Sequence, residues 1–177
     1  MLVGEKTLIR PLEINDLDDL YDWYNESNFT YWVCGNWPLA SLLRRDYIEN
    51  NFYENDDYRY SILDMDKNLI GSIGFEQVNT PARSAKLYIG IGKSEYWGKG
   101  YGYDAMNTFI NYLFNQWNFR RLTVETWEKN IRAIKCYEKL GFVIEGKLRQ
   151  AYYVTGKYYD AIIMGLLKSD FYAKAKS

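Results

Sequence analysis

The sequence predicts an α/β fold, a three-layer α/β/α sandwich around a mixed, mostly antiparallel sheet, in a single domain spanning residues 1–177. Three observations support this prediction. Runs of alternating apolar residues, typical of strands, are separated by stretches whose apolar residues recur at helical spacing. Their order along the chain is β-α-α-β-β-β-α-β-α-β-β, which is typical of a mixed sheet with helices on its faces. The length of 177 residues fits one domain with a sizeable core.

The strands predicted in the first half of the chain lie at residues 7–11, 58–63, 69–77 and 85–91. Asn15 is expected to cap a first helix, because apolar residues at helical spacing follow it, namely Leu17, Leu20, Tyr21 and Tyr24. A second helix is expected at about residues 39–53. Residues 28–38 are rich in aromatic side chains, and we expect them to be irregular.

The second half begins with a glycine-rich turn and a long helix that runs to about Trp117. Its apolar stripe consists of Met106, Ile110, Leu113 and Trp117. Asn130 is expected to cap a shorter helix, and Gly141 follows that helix where a C-cap glycine belongs. The buried face of the shorter helix is expected to carry Ala133, Cys136, Tyr137 and Leu140. The remaining strands are predicted at residues 121–127, 142–154 and 158–167.

Composition argues against several kinds of partner. The net charge is −1 and no basic block stands out, so we do not expect a nucleic-acid partner. No apolar run approaches the roughly 18 residues of a membrane helix, and we expect no membrane partner. The first residues lack a signal-peptide pattern, and Cys34 and Cys136 do not make a disulfide framework. We therefore expect a cytoplasmic protein with reduced thiols, and we leave a homodimer open.

Histidine is absent from the chain, which excludes a histidine base and histidine metal ligands. The sequence also lacks a cluster of Cys and His residues that could bind a transition metal, so no metal is expected. Proton transfer is expected to use Glu, Asp, Lys, Tyr, Cys or ordered water.

The strongest local signal is a glycine-rich segment between a predicted strand and the long helix, Trp97-Gly98-Lys99-Gly100-Tyr101-Gly102. Alternate glycines let the backbone approach a ligand closely. The free N–H groups at the helix start, together with the helix dipole, form an anion site suited to a pyrophosphate. A plain glycine turn before a helix is the alternative. The spacing matches neither the dinucleotide fingerprint nor the P-loop.

A second signal is Asn130-Ile131-Arg132-Ala133-Ile134-Lys135-Cys136-Tyr137-Glu138-Lys139-Leu140-Gly141-Phe142. This segment resembles the N-x-x-A-x-x-x-Y-x-K-x-G-F segment of the GNAT acetyltransferases, and the glycine-rich segment resembles their acetyl-CoA loop. Both motifs occur in the order and spacing of that family, and the resemblance covers essentially the whole chain. It implies an acyl-CoA N-acyltransferase fold and an acetyl-CoA-dependent N-acetyltransferase.

A finer resemblance links the chain to the branch that contains ribosomal-protein N-terminal acetyltransferases and polyamine acetyltransferases. It rests on residues 8–12, 145–149 and 156–161, which read LIRPL, EGKLR and GKYYDA. Two residues depart from the family pattern. Trp97 replaces the usual Gln or Arg of the loop, so pyrophosphate binding must rest on backbone N–H groups. Lys86 stands where many members carry a Glu that is often a candidate base, which puts the base in doubt.

The resemblance implies direct attack of the amine on the thioester in a ternary complex, with Cys136 structural and no acyl-enzyme. Tyr137 matches the general acid that protonates the leaving thiolate, with a core aromatic as the alternative. Asn130 matches a residue that contacts the pantetheine arm or the acceptor, and capping alone is the alternative. Backbone N–H groups of the splayed strand are expected to contact the thioester carbonyl, at Ile89, Gly90 or Ile91.

An amine must be neutral to attack, and a free alkylamine has a pKa near 10, so a base or a desolvated site is required. Glu125 and Glu76 are the candidates for that base, directly or through water. The acceptor pocket is expected to draw on Glu76 and on the aromatic residues Tyr31, Trp32, Trp37, Tyr152 and Tyr153, which suit an ammonium group. The acceptor is left open between a protein or peptide N-terminus and a small polyamine or amino acid. A non-catalytic acyl-CoA sensor and a structural interaction module are the alternative classes.

Overall fold

The computed structural model describes residues 1–34 and 58–174, and these residues form one eight-stranded sheet. The strands are β1 (Leu2–Val3), β2 (Leu8–Pro11), β3 (Tyr58–Leu63), β4 (Leu69–Asn79), β5 (Ser84–Ile91), β6 (Arg121–Trp127), β7 (Val143–Val154) and β8 (Lys157–Leu167). Their spatial order is β1-β2-β3-β4-β5-β6-β8-β7. Only β5 and β6 pair in parallel within this sheet of described residues, which confirms the prediction of a mixed, mostly antiparallel sheet.

Helices cover both faces of the sheet. The helices of the described residues are α1 (Leu17–Asn25), α2 (Ser27–Cys34), α3 (Tyr101–Asn115), α4 (Ile131–Leu140) and α5 (Lys168–Lys174). On β5, Ile89 and Ile91 pack into the core formed with α3 and α4. Gly90, between them, points to the opposite face, where the Phe29 ring of α2 lies against it. The predicted three-layer sandwich is therefore confirmed. None of these five helices combines the length and apolar character needed to span a bilayer.

The main core lies between the sheet and the helices α3, α4 and α5. The α3 side chains Met106, Ile110 and Leu113 are all 0% exposed, as their helical spacing predicts. Burying a side chain of this size contributes about 1.5–3 kcal/mol relative to exposure. Trp117 lies beyond the end of α3 and reaches the same core from the following turn, where its ring stacks on Phe119 with centroids 5.9 Å apart.

The hydrogen-bonded pairing between β5 and β6 ends before either strand does, and this leaves a gap in the sheet at their carboxyl ends. Their parallel register runs only from Ser84↔Arg121 to Leu87↔Val124. Beyond that point β5 stays paired with β4 as far as Ile91, and β6 stays paired with β8 as far as Trp127. The carboxyl ends of the two parallel strands therefore diverge within the sheet. A gap between diverging strand ends is where ligands bind in open α/β sheets.

Several predicted boundaries differ from the structure. Residues 27–34 form helix α2 rather than an irregular segment, because Phe29 and Thr30 are buried against the sheet and packing overrides weak helix propensity. Helix α1 begins at Leu17 after a 3₁₀ turn, with Asp16 at its N-cap position instead of Asn15. The sequence interpretation missed the short strand β1 and helix α5. The helix predicted at residues 39–53 lies outside the described residues.

Candidate functional site

A cavity of about 370 Å³ opens where β5 and β6 diverge. Its walls come from the end of β5, the glycine-rich turn before α3, the inner face of α4 and the end of α2. The lining residues are Phe29, Trp32, Val33, Tyr88, Ile89, Gly90, Ile91, Tyr96, Trp97, Gly98, Gly100, Gly102, Tyr103, Glu125, Thr126, Asn130, Arg132, Ala133, Lys135, Cys136, Tyr137 and Lys139. The cavity thus joins both sequence motifs with the exposed edge of β5.

The glycine-rich turn presents free backbone donors. Gly98 and Gly100 have φ angles of +73° and +91°, a conformation that glycine adopts without steric cost. Gly100 is the N-cap of α3, and its carbonyl accepts the first helical hydrogen bond from the Asp104 N–H. Within the described residues, the N–H groups of residues 98–103 form no hydrogen bond of ordinary geometry. Such a row of N–H groups at a helix start forms a site for a phosphate or diphosphate.

Trp97 acts through its side chain in a way that the sequence did not predict. Its indole Nε1 donates a hydrogen bond of 2.7 Å to the Ile91 carbonyl, which ties the turn to the last residue of β5. The guanidinium of Arg132 lies over the Trp97 ring, 4.4 Å from the centroid, and 5.7 Å from that of Trp32. These cation–π contacts link the turn, α2 and α4 at the rim of the cavity.

Asp64, in the β3–β4 turn, supports the glycine-rich turn from one side. The Tyr96 hydroxyl donates to the Asp64 carboxylate at 2.8 Å, and Asn68 donates through both its backbone and side chain. Burial of Asp64 acts to raise its pKa, but the hydrogen bonds from Asn68 and Tyr96 outweigh burial, and the pKa is lowered. The same contact with Asp64 raises the pKa of Tyr96 to about 12. The pair is therefore charged on Asp64 and protonated on Tyr96 near neutral pH.

Asn130 performs the capping role that the sequence predicts. Its Oδ1 accepts a hydrogen bond from the Ala133 N–H at 3.4 Å, at the start of α4. Its Nδ2 donates to the Trp32 carbonyl at 3.0 Å and to the Thr126 hydroxyl at 3.1 Å. One buried side chain therefore joins α4, β6 and the end of α2. The predicted contact of Asn130 with a ligand stays a prediction.

Tyr137 and Cys136 both line the cavity from α4. Tyr137 is 7% exposed, and no hydrogen bond to its hydroxyl is present among the described residues. Burial raises the pKa of Tyr137 well above its usual value of 10, so the phenol keeps its proton. Burial also raises the pKa of Cys136 to about 11, so its thiol is protonated at neutral pH and is a poor nucleophile. The shift at Tyr137 keeps the phenol protonated but makes it a weaker acid toward a thiolate, and the shift at Cys136 is compatible with an inert thiol.

Glu125 faces the cavity from β6 and has two partners. Lys86 on β5 lies with its Nζ 3.1 Å from Glu125 Oε2, and the Tyr152 hydroxyl donates to Oε1 at 3.0 Å. Lys86 also lies 3.8 Å from Glu76, which is more exposed and does not line the cavity. Lys86, at the position where the resemblance leads us to expect a glutamate, therefore pairs with Glu125.

The structure brings most predicted cofactor residues to the cavity, but not all. Lys99 and Tyr101 are outside its lining; the Tyr101 ring packs on Tyr96 instead, with centroids 4.8 Å apart. The predicted contact of these two residues with a cofactor, through backbone N–H groups, stays a prediction. The predicted cofactor residues in the lining are Ile89, Gly90, Ile91, Trp97, Gly98, Gly100, Gly102, Asn130 and Tyr137.

The predicted acceptor residues are more dispersed. Trp32 lines the cavity, whereas Tyr152 is outside the lining and its hydroxyl donates to Glu125, which lines it. Tyr31 packs edge-on against Trp127 with ring centroids 5.1 Å apart, and Tyr153 pairs with exposed Tyr158 at 5.0 Å. Trp37 lies outside the described residues.

The sequence interpretation missed several lining residues. Arg132 and Lys139 lie on the same face of α4 as Cys136, and Lys135 is beside them. The helical spacing from Cys136 could have identified this face, because Arg132 lies four residues before Cys136 and Lys139 three residues after it. No sequence pattern predicts that Tyr88 and Tyr103 line the cavity, because the cavity forms only where β5 and β6 diverge in the folded sheet. Among the described residues, no group of acidic, Cys or His side chains is arranged to hold a metal.

The geometry agrees with the family comparison. Residues 6–143 match the family model described as "Acetyltransferase (GNAT) domain". Since this match covers most of the chain, the protein belongs to the GNAT acetyltransferase family. The resemblance stated from the two motifs is therefore confirmed, and so is the fold that it implies.

The relatives carry the names of spermidine and ribosomal N-acetyltransferases, which belong to the branch that the sequence predicts. Spermidine N(1)-acetyltransferase of Vibrio cholerae serotype O1 is 29% identical over 170 residues, which cover 96% of this chain and 97% of the relative. A Bacillus subtilis protein, named provisionally as a ribosomal N-acetyltransferase, is 30% identical over 182 residues, covering 96% and 95%. The crystal structure of the Vibrio cholerae spermidine N-acetyltransferase in complex with CoA and spermine matches with a TM-score of 0.84 at 28% identity, covering 94% of this chain and 98% of the other.

Proposed function

We propose that this acetyltransferase moves the acetyl group of acetyl-CoA to a primary amine by direct attack in a ternary complex. One observation carries the proposal. Gly98, Gly100 and Gly102, whose N–H groups have no hydrogen-bond acceptor among the described residues, line the same cavity as Tyr137, at the end of β5. The N–H groups suit the diphosphate of the cofactor, and Tyr137 suits its leaving sulfur. A structural interaction module would leave both features without a use.

The proposed reaction needs three groups besides the substrates. The amine nitrogen forms a bond to the thioester carbon while backbone N–H groups at the end of β5, at Ile89, Gly90 or Ile91, stabilise the oxyanion. The carbon–sulfur bond then breaks, and Tyr137 gives its proton to the departing thiolate. The amine loses a proton to Glu125, directly or through water. The products are the N-acetylated amine and CoA.

The proposed acceptor is a polyamine. This choice is supported by the spermidine acetyltransferases among the relatives, one of which was crystallised with CoA and spermine. Local chemistry is compatible with it, because Glu125 offers a carboxylate to an ammonium group at the cavity. Lys86 competes for Glu125, so the polyamine must displace part of that ion pair.

A thiol-release assay tests the activity and the acceptor together. Acetyl-CoA would be supplied with spermidine, spermine, an aminoglycoside, free amino acids, or peptides that begin with Ala or Ser. We expect spermidine or spermine to give the highest kcat/KM. A peptide as the best acceptor would overturn the polyamine proposal while keeping the acetyltransferase. No release with any amine, despite CoA binding, would favour a non-catalytic sensor.

We also propose that residues 1–177 form one catalytic domain and that the protein is cytoplasmic. A third proposal is that the protein forms a homodimer through β7. The homodimer is supported by the position of β7 at one edge of the sheet and by its exposed apolar side chains. Val143, Ile144 and Leu148 are 59%, 50% and 53% exposed. Light scattering that gives the mass of one chain at high micromolar concentration would contradict the dimer.

A further inference from the structure

The N-terminal segment folds around a buried carboxylate in the first turn of α3. Asp104 is 9% exposed and accepts hydrogen bonds from the backbone N–H groups of Glu5 and Lys6 at 2.9 and 3.0 Å, and from the Thr7 hydroxyl at 2.6 Å. A Cβ atom at Gly4 would collide with the same carboxylate, so the close approach requires glycine there. These contacts fix residues 4–7 to the start of α3.

This attachment places the Lys6 side chain against the glycine-rich turn. Lys6 Nζ donates a hydrogen bond of 3.0 Å to the Lys99 carbonyl and lies 5.7 Å from the Tyr101 ring centroid. Lys6 itself is exposed and is not part of the cavity lining, whereas Gly100 is. Lys6 therefore contacts the turn without forming part of the cavity wall, and any effect on a ligand in the cavity passes through the turn.

The bond to the Lys99 carbonyl determines where the next N–H points. The peptide between Lys99 and Gly100 is planar and trans, so its C=O and N–H point in opposite directions. Because Lys6 holds this carbonyl and neither Lys6 nor Lys99 lines the cavity, the Gly100 N–H of the same peptide points away from Lys6, and Gly100 itself lines the cavity. Because glycine tolerates φ angles of either sign, this peptide could otherwise rotate at little cost and turn its oxygen toward the anion site.

We propose that Lys6 is a positioning residue for the cofactor: it holds the Lys99–Gly100 peptide in the orientation that gives the Gly100 N–H to the diphosphate. This inference rests on the proposed function. It assigns Lys6 to cofactor affinity and not to the acetyl-transfer step. It also gives Asp104 a role, which is to anchor the segment that carries Lys6.

The test compares Lys6→Met and Lys6→Arg with the wild type and with Lys157→Met, an exposed lysine on the turn that starts β8. For Lys6→Met we expect KM for acetyl-CoA to rise about three- to tenfold, the range expected for loss of one exposed charge-assisted hydrogen bond, with kcat unchanged. Lys6→Arg keeps a charged donor and should recover most of the affinity. Lys157→Met should match the wild type.

Two further readouts separate positioning from general effects. Turnover of S-acetylpantetheine, which lacks the diphosphate, should have the same kcat/KM in Lys6→Met as in the wild type. The increase in KM for acetyl-CoA should persist at 0.5 M KCl, where a through-space charge effect is largely screened. An unchanged KM, an increase that disappears in salt, or an equal loss with S-acetylpantetheine would overturn the proposal. If the wild type itself fails to bind CoA, the proposed function fails instead.

Discussion

Replacing Asn130 tests whether its main contribution is structural. Asn130→Ala removes the cap of α4, which is worth about 1 kcal/mol. It also removes the hydrogen bonds to the Trp32 carbonyl and the Thr126 hydroxyl, each worth about 1 kcal/mol at a buried site. We therefore expect the free energy of unfolding to fall by about 3 kcal/mol. For a chain of this size, that corresponds to a decrease in Tm of about 6–12 °C.

Asn130→Asp separates the two parts of this loss. A carboxylate keeps the cap acceptor for the Ala133 N–H but cannot donate to the Trp32 carbonyl. We expect it to retain the cap and lose about 1–2 kcal/mol, an intermediate value. Urea denaturation and calorimetry measure both variants, and Asn115→Ala, at an exposed amide, is the control with an expected change under about 0.5 kcal/mol. An Asn130→Ala protein as stable as the control would refute this structural role.

Two other predictions concern proton positions. Tyr137→Phe should lower kcat by about 10²–10⁴-fold while KM for acetyl-CoA changes little, because the phenol acts on the leaving sulfur. Steady-state kinetics measures both constants, with Tyr172→Phe on α5 as the control. An unchanged kcat would show that Tyr137 is not the acid. Burial acts to raise the pKa of Asp16, but hydrogen bonds from Arg10 and Ser61 outweigh it and the pKa is lowered. Its stabilisation is therefore present above its unfolded pKa near 4 and is lost as pH falls through the lower folded value. Asp16→Asn should lower the free energy of unfolding at pH 7 by about 2–3 kcal/mol, and this free energy should then fall less steeply with decreasing pH than in the wild type. Chemical denaturation at several pH values measures both effects, and the same pH dependence in the two proteins would contradict the prediction.

Elements with strong local patterns were predicted well from the sequence. The alternation in residues 85–91 and the helical stripe of α3 reflect burial on one face, which each segment encodes in its own residues. The caps Asn130 and Gly141 were also predictable, because capping depends on local backbone geometry. The two motifs indicated the family, and through it the fold.

Features that depend on distant contacts were not predictable. Helix α2 has aromatic and β-branched residues of modest helix propensity, and it forms because Phe29 packs on the sheet beside Gly90. The pairing of Lys86 with Glu125 joins residues on two strands whose side chains meet only in the folded sheet. The bond from the Trp97 indole to the Ile91 carbonyl likewise requires the turn to fold back on β5.

The central claim is that the backbone N–H groups of Gly98, Gly100 and Gly102, which have no hydrogen-bond acceptor among the described residues, bind the diphosphate of CoA. Titration of ¹⁵N-labelled protein with CoA, followed by amide resonances, tests it most directly. We predict that the amide protons of Gly98, Gly100 and Gly102 shift downfield and saturate together with binding, while pantetheine, which lacks the diphosphate, leaves them in place. Binding of CoA that perturbs other amides and leaves these three unchanged would contradict the claim.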